Sequence, residues 1–229
     1  KNSFETLIKI EGKKELVASN IEVPCDFSSS AFFIVAALIN EVSKIKMQNI
    51  NLNPTRDGLL KALKMMGAKI NITNIKIKSG EKVGDIYVEH SKLKGCELNP
   101  GMAKLMIDEY PILSIAAAFA NGPSLFKGLG ELKVKESDRL ELIKLNLLRC
   151  GCECEILNEE DLLIKPANFY EPKNNIIRTD FDHRIAMSFI IMGSKVGNLK
   201  IEDPESINTS FPNFVEIYNK SGGNLLWKQ

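Results

Sequence analysis

Two short runs carry the residue types that proton transfer and anion binding need. The first is KVKESDR, residues 133–139, which places Lys133, Lys135, Glu136, Asp138 and Arg139 within seven positions. Helix capping by Ser137 or Asp138 explains one of these side chains and leaves the others unexplained. Two readings stay open: a solvated, charged turn, or a carboxylate, Glu136, held among the cations Lys135 and Arg139 for proton transfer beside an anionic substrate. The second run is DHR, comprising Asp182, His183 and Arg184. Asp182 is a ready N-cap. Arg184 stands where a cation opposes the dipole of the following helix, so it needs an anionic partner. A guanidinium there suits a phosphate or carboxylate in fork geometry. His183 reads either as an acid–base group or as a hydrogen-bonding neighbour. Asp108, followed by Glu109 and Pro111, and Asp26, followed by three serines, stand at corresponding places. N-capping is the simplest role for each.

The elements that position these residues form a repeat. Asp26, Asp108 and Asp182 each lead into an apolar run of helical character, at 28–40, 109–121 and 183–193. After each comes a strand-like run, a second amphipathic helix, glycine (Gly67, Gly151, Gly222–Gly223) and a strand. The period is about 75–80 residues. In the first unit the pattern predicts strands at 6–10 and 21–25, a strand at 45–50, a helix at 56–66 capped by Asn53 or Thr55, and strands at 68–72 and 85–90. The second has a strand at 124–128, a helix at 137–149 and strands at 152–157 and 161–165. The third has a strand at 199–202, a helix at 211–219 and a last strand at 224–227. Helices that are apolar on every side belong inside. The expected fold is therefore α/β with mixed sheets: three βαβαββ units turned inside out, with three helices packed together and strands around them. Helix N-termini gathered in this way offer partial positive charge and free N–H groups, the makings of an anion site.

Composition narrows the function further. The chain has 229 residues, 44% hydrophobic, and a net charge of +1, which indicates neither nucleic acid nor a membrane surface as a partner. No apolar run reaches the ~18 residues that a membrane span needs. Lys1 is not a usual start, so the chain reads as an internal segment whose targeting is not legible. Its five cysteines lack a disulfide framework pattern, which points to reduced thiols and a cytoplasmic setting. Cys152 and Cys154 share one strand face and read as packing. With only His90 and His183 in the chain, no zinc site is expected.

Together, KESDR, DHR, DEYPIL and DFSSSAFF resemble one family, 5-enolpyruvylshikimate-3-phosphate synthase (3-phosphoshikimate 1-carboxyvinyltransferase), in its C-terminal half. NPTRDG at 53–58 and TSFPNF at 209–214 add to the likeness, which runs from Val23 to the C-terminus. The resemblance implies residues 23–229 as one of two domains, each of three βαβαββ units, and residues 1–22 as the tail of the preceding domain and the crossover. It implies transfer of the enolpyruvyl group of phosphoenolpyruvate to the 5-hydroxyl of shikimate 3-phosphate by addition and elimination, with no metal or organic cofactor. The N-terminal domain of the same chain would be the remaining partner. By motif, Asp108 corresponds to the proton acceptor at the hydroxyl, Lys135 to a ligand of the shikimate phosphate, and Glu136 to the acid that protonates the methylene. Arg139 and Arg184 correspond to the phosphoenolpyruvate clamp, and His183 to a neighbour of the reacting centre. Glu131 stands where some members have a ligand asparagine, and Thr209 where some have a lysine. Two alternatives are UDP-N-acetylglucosamine enolpyruvyltransferase, which shares the fold and the donor, and a non-catalytic ligand-binding domain of the same architecture. The KESDR and DHR wording favours the shikimate enzyme.

Overall fold

The computed structural model describes residues 7–166 and 175–227. Its first unit opens at Cys25, which bridges Ile50 in parallel. Helix α1 (Phe27–Ile39), strand β1 (Lys44–Asn51), helix α2 (Gly58–Met65) and the strands β2 (Lys69–Lys78) and β3 (Glu81–Glu89) follow. The second unit comprises β4 (Glu97–Leu98), a short α3 (Ala103–Met106), α4 (Tyr110–Ala118), β5 (Ser124–Phe126), α5 (Arg139–Arg149), β6 (Glu153–Leu157) and β7 (Asp161–Lys165). The third comprises β8 (Ile176–Ile177), α6 (His183–Val196), β9 (Lys200–Ile201) and α7 (Phe214–Lys220).

The repeat is visible in the strand pairing. One sheet has the order β1-β3-β2 and the next β4-β5-β7-β6, so β5, β7 and β6 match β1, β3 and β2. These three strands are antiparallel in both units. Each unit also has a parallel pairing, Cys25 with Ile50, β4 with β5, and β8 with β9, and a further parallel bridge joins Lys94 to Asn121. Parallel neighbours need a crossover connection. The three apolar helices α1, α4 and α6 are those crossovers. They pack on one another pairwise and are buried over most of their length, α4 completely. This is the inside-out α/β arrangement. Phe32 and Phe33 of α1 meet Phe211 and Phe214 at tilted and edge-on angles, and Phe214 stacks on Tyr218, which closes the core beside α7. Cys150, Cys152 and Cys154 are buried in the same core, and burial pushes each thiol up to about 12, so they serve as packing.

Several elements differ from the expected pattern. The strand at 21–25 reduces to the Cys25 bridge; Ile21 and Val23 are exposed and join no ladder among the described residues. Thr6 lies outside the described residues, and residues 7–10 form no ladder within them. Helix α2 begins at Gly58, not 56, with Asp57 at its N-cap. Asn53 instead accepts from the N–H and hydroxyl of Thr55, a local turn that competes with capping. Residues 224–227 are not a strand. The Asn219 side chain takes both the N–H and the carbonyl of Leu225 and folds the segment back on α7. Helix α6 runs past Gly193 and ends at Gly197, whose φ of +72° few other residues adopt. Among the described residues, no helix is long and apolar enough to cross a membrane.

Candidate active site

The three aspartates at the heads of the buried helices do different work. Asp26 caps α1, accepting from the Ser29 N–H at 2.7 Å and its hydroxyl at 2.8 Å. Asp182 caps α6 with Oδ1, which accepts from the N–H groups of Arg184 at 2.9 Å and Ile185 at 3.4 Å. Its other oxygen accepts from Arg139 Nε at 2.7 Å and the Ser137 hydroxyl at 3.0 Å. Asp108 caps nothing. It sits in a single 3-10 turn, Ile107–Glu109, ahead of α4. Its carboxylate accepts from Arg139 Nη1 at 2.9 Å, with Lys135 Nζ at 3.9 Å and Arg184 Nη2 at 3.8 Å.

Arg139 ties these carboxylates together. It is the first residue of α5, and its side chain is 0% exposed. Nε meets Asp182, Nη1 meets Asp108, and Nη2 meets Glu136 at 2.5 Å. A buried guanidinium is tolerable when its fork is filled by charged acceptors in this way. In the rest of the run, Asp138 caps α5 through the Glu141 N–H, and Lys135 pairs with Glu131 at 2.6 Å. KVKESDR is thus more than a solvated turn. Lys135, Glu136, Ser137 and Arg139 all contact the cluster, while Lys133 is exposed.

The first-turn Arg184 has the anionic surroundings that its position demands. Its Nη1 donates to the Asp108 main-chain carbonyl at 3.3 Å and lies 3.8 Å from Glu109 Oε1. Burial by itself would raise the Asp108 carboxyl, but Arg184, Arg139 and Lys135 outweigh it and hold the group below its ordinary value. Burial, and then Arg184, lower the pKa of His183, so its ring is neutral at neutral pH. Asp108, Lys135, Glu136, Arg139, His183 and Arg184 therefore occupy one cluster where α4, α5 and α6 begin. Glu109, Ser28 and Arg56 adjoin it and were not singled out as site residues in the sequence. The position of Glu109 next to Asp108, and of Arg56 within NPTRDG, were the available signals. A separate cavity of about 590 Å³ lies over the first sheet. Its carboxylate, Asp85, is already held by Asn74 and the Asn49 N–H, so the chemistry is better sought in the cluster.

The chain as a whole is similar to known proteins. The family model for EPSP synthase (3-phosphoshikimate 1-carboxyvinyltransferase) matches residues 1–218. The chain belongs to the EPSP synthase family. A 3-phosphoshikimate 1-carboxyvinyltransferase from Paramagnetospirillum magneticum is 44% identical over 95% of this chain and 49% of that protein. Another from Gluconobacter oxydans is 42% identical over the same shares. A solved EPSP synthase from Acinetobacter baumannii superposes with a TM-score of 0.82 at 36% identity, covering 93% of this chain and 51% of that one. The enolpyruvyl transferase NikO from Streptomyces tendae shares the fold alone, with a TM-score of 0.63 at 13% identity over 86% of this chain and 43% of that one. The chain thus spans about half the length of the EPSP synthase relatives that it matches.

Proposed function

We propose that this chain is one wall of an EPSP synthase active site, and that the whole protein transfers the enolpyruvyl group of phosphoenolpyruvate to the 5-hydroxyl of shikimate 3-phosphate. The observation that carries this reading is the convergence of Asp108, Glu136, Lys135, Arg139 and Arg184 at the heads of α4, α5 and α6. In this reading Lys135 exchanges Glu131 for the acceptor's phosphate, and Arg184 meets an anionic group of the donor. Arg139 has a carboxylate on each of its nitrogens. The donor therefore reaches Arg139 by displacing Glu136 or by using a remaining N–H. Displacement frees Glu136 to carry a proton beside the donor's negative charge.

The proton steps then follow. Asp108 takes the proton of the 5-hydroxyl as its oxygen attacks C2 of phosphoenolpyruvate, and Glu136 delivers a proton to C3. In the second step phosphate leaves C2 and carries off the proton that Asp108 took, while Glu136 recovers a proton from C3 as the double bond reforms. The low proton affinity of Asp108 in the free site is set by Arg184, Arg139 and Lys135. Substrate anions that engage two of those cations make it a better base. His183, neutral, serves as a hydrogen-bonding neighbour or proton carrier. The other wall belongs to an N-terminal domain, with residues 1–22 as the end of that domain and the crossover. The exposed Leu16, Val17, Ile21 and Val23 support this, since they would otherwise leave apolar surface in water. The free cysteines fit a reducing, cytoplasmic setting.

The test is phosphate release by the full-length protein. Release that requires both phosphoenolpyruvate and shikimate 3-phosphate, with the enolpyruvyl ether as product, is the expected result. No release with both present would remove the reading.

A further inference from the structure

Glu109 has no part in the chemistry above, yet its side chain is only 2% exposed. It stands at the N-cap of α4 and makes no capping bond. Its Oε1 instead accepts from the Ser28 hydroxyl at 2.6 Å, and Ser28 Oγ accepts from Arg56 Nη2 at 2.8 Å. An arginine can only donate, and a hydroxyl has one proton, so the Ser28 proton points at Glu109. The same Oε1 lies 3.8 Å from Arg56 Nη2 and 3.8 Å from Arg184 Nη1. One buried oxygen thus joins the N-terminal ends of α1, α4 and α6 and the loop before α2.

Arg184 is held differently from Arg139. Its direct bond is to a main-chain carbonyl, and both nearby carboxylates stand at 3.8 Å. Asp108 and Glu109 therefore locate its guanidinium largely through space, which is effective at short range in a site shielded from water. We propose that Glu109 is the positioning residue for Arg184: a counter-charge anchored by Ser28 that sets where the guanidinium stands to meet the donor. The inference rests on the reading of Arg184 as a donor-binding group. Burial, the largest influence, raises the Glu109 carboxyl above its ordinary value, against the pull of Ser28, Arg184 and Arg56 and with a further push from Asp108. A carboxylate in such a place is unfavourable for folding, and a neutral side chain of the same shape would pack equally well.

The experiment is steady-state kinetics of the full-length enzyme. Glu109→Gln keeps the volume and the acceptor for Ser28 and removes the charge. The KM for phosphoenolpyruvate should rise about tenfold, because the guanidinium loses the charge that sets its place. The KM for shikimate 3-phosphate and kcat should move less than about twofold, the signature of lost ground-state binding to one substrate. Ser28→Ala leaves the charge but unties it, and should raise the same KM by a smaller factor. Glu109→Asp should restore part of the loss. Arg184→Ala, measured alongside, reports on the clamp itself. If Arg184→Ala raises the KM for phosphoenolpyruvate and Glu109→Gln does not, the positioning role is overturned and the clamp stands. Equal rises in both KM values, or a fall in kcat that tracks a fall in Tm, would reduce Glu109 to a structural residue. If Arg184→Ala leaves phosphoenolpyruvate unaffected, the clamp reading fails and takes this inference with it.

Discussion

At the scale of single residues, Asp108 and Glu136 share one guanidinium but differ in surroundings. Asp108 is partly buried among three cations, while the Glu136 side chain is 53% exposed and reaches Arg139 from the rim. Different environments let two carboxyl groups divide acid and base work. In the full-length enzyme, Glu136→Gln should keep both substrates bound and cut turnover by ~10²–10⁴, the usual worth of general acid–base catalysis. It should also slow solvent deuterium exchange into the methylene group. Near-normal turnover and exchange would return Glu136 to a structural role. Asp108→Ala should cut turnover and also weaken shikimate 3-phosphate, measurable by titration, because the hydroxyl loses its acceptor. Glu109 makes a prediction of opposite sign about stability. A carboxyl raised in the folded state costs stability progressively as pH rises from its unfolded value, and the cost is complete above its folded value. Glu109→Gln should therefore compare more favourably with the natural chain at pH 7 than at pH 4, where Glu109 is itself largely protonated. Calorimetry at both values checks this; a smaller advantage at pH 7 would contradict it.

At the scale of elements, the three crossovers share a plan but not their capping. Pro111 in the first turn of α4 has no N–H, so that helix presents one orphan donor fewer than α1 or α6. Asp108 can turn away to Arg139 at little cost. The link between the first and second units is tighter. Asn121 donates to the Leu93 carbonyl at 2.7 Å, and the Gly95 N–H donates to the Asn121 carbonyl at 3.1 Å. A Cβ on Gly95 would stand 2.0 Å from the Pro123 carbonyl oxygen and 2.6 Å from that of Gly122. Both obstacles are backbone, so neither can swing aside. Gly95→Ala should destabilise the chain by about 3 kcal/mol or more, at the upper end for overpacking. Urea denaturation should report it as a lower midpoint at unchanged slope. An unchanged midpoint would mean that the two units can separate there without loss.

At the scale of the molecule, the polar cluster gathers where α4, α5 and α6 begin, and the EPSP synthase relatives are about twice as long as this chain. The chain alone should unfold cooperatively on heating, because its three crossovers share one core. It should show no measurable turnover, since reacting groups misplaced by an ångström already lose large factors in rate. Thermal unfolding and the phosphate-release assay on the isolated chain check both halves, and measurable turnover would defeat the second. The sequence by itself determined the repeat, the burial of the helices headed by Asp26, Asp108 and Asp182, and the two polar runs around Glu136 and Arg184. Apolar periodicity and motif spacing are local properties, legible without coordinates. Strand pairing is not local. Residues 21–25 and 224–227 have strand composition, but a strand forms only where another edge meets it. Only the tertiary structure decided that Asp182, Asp108 and Glu136 fill one buried guanidinium, and that Ser28, Arg56 and Glu109 meet across 81 positions of sequence. Such contacts depend on how the three crossovers pack, and side chains far apart in the chain carry no mark of which neighbour the packing will bring.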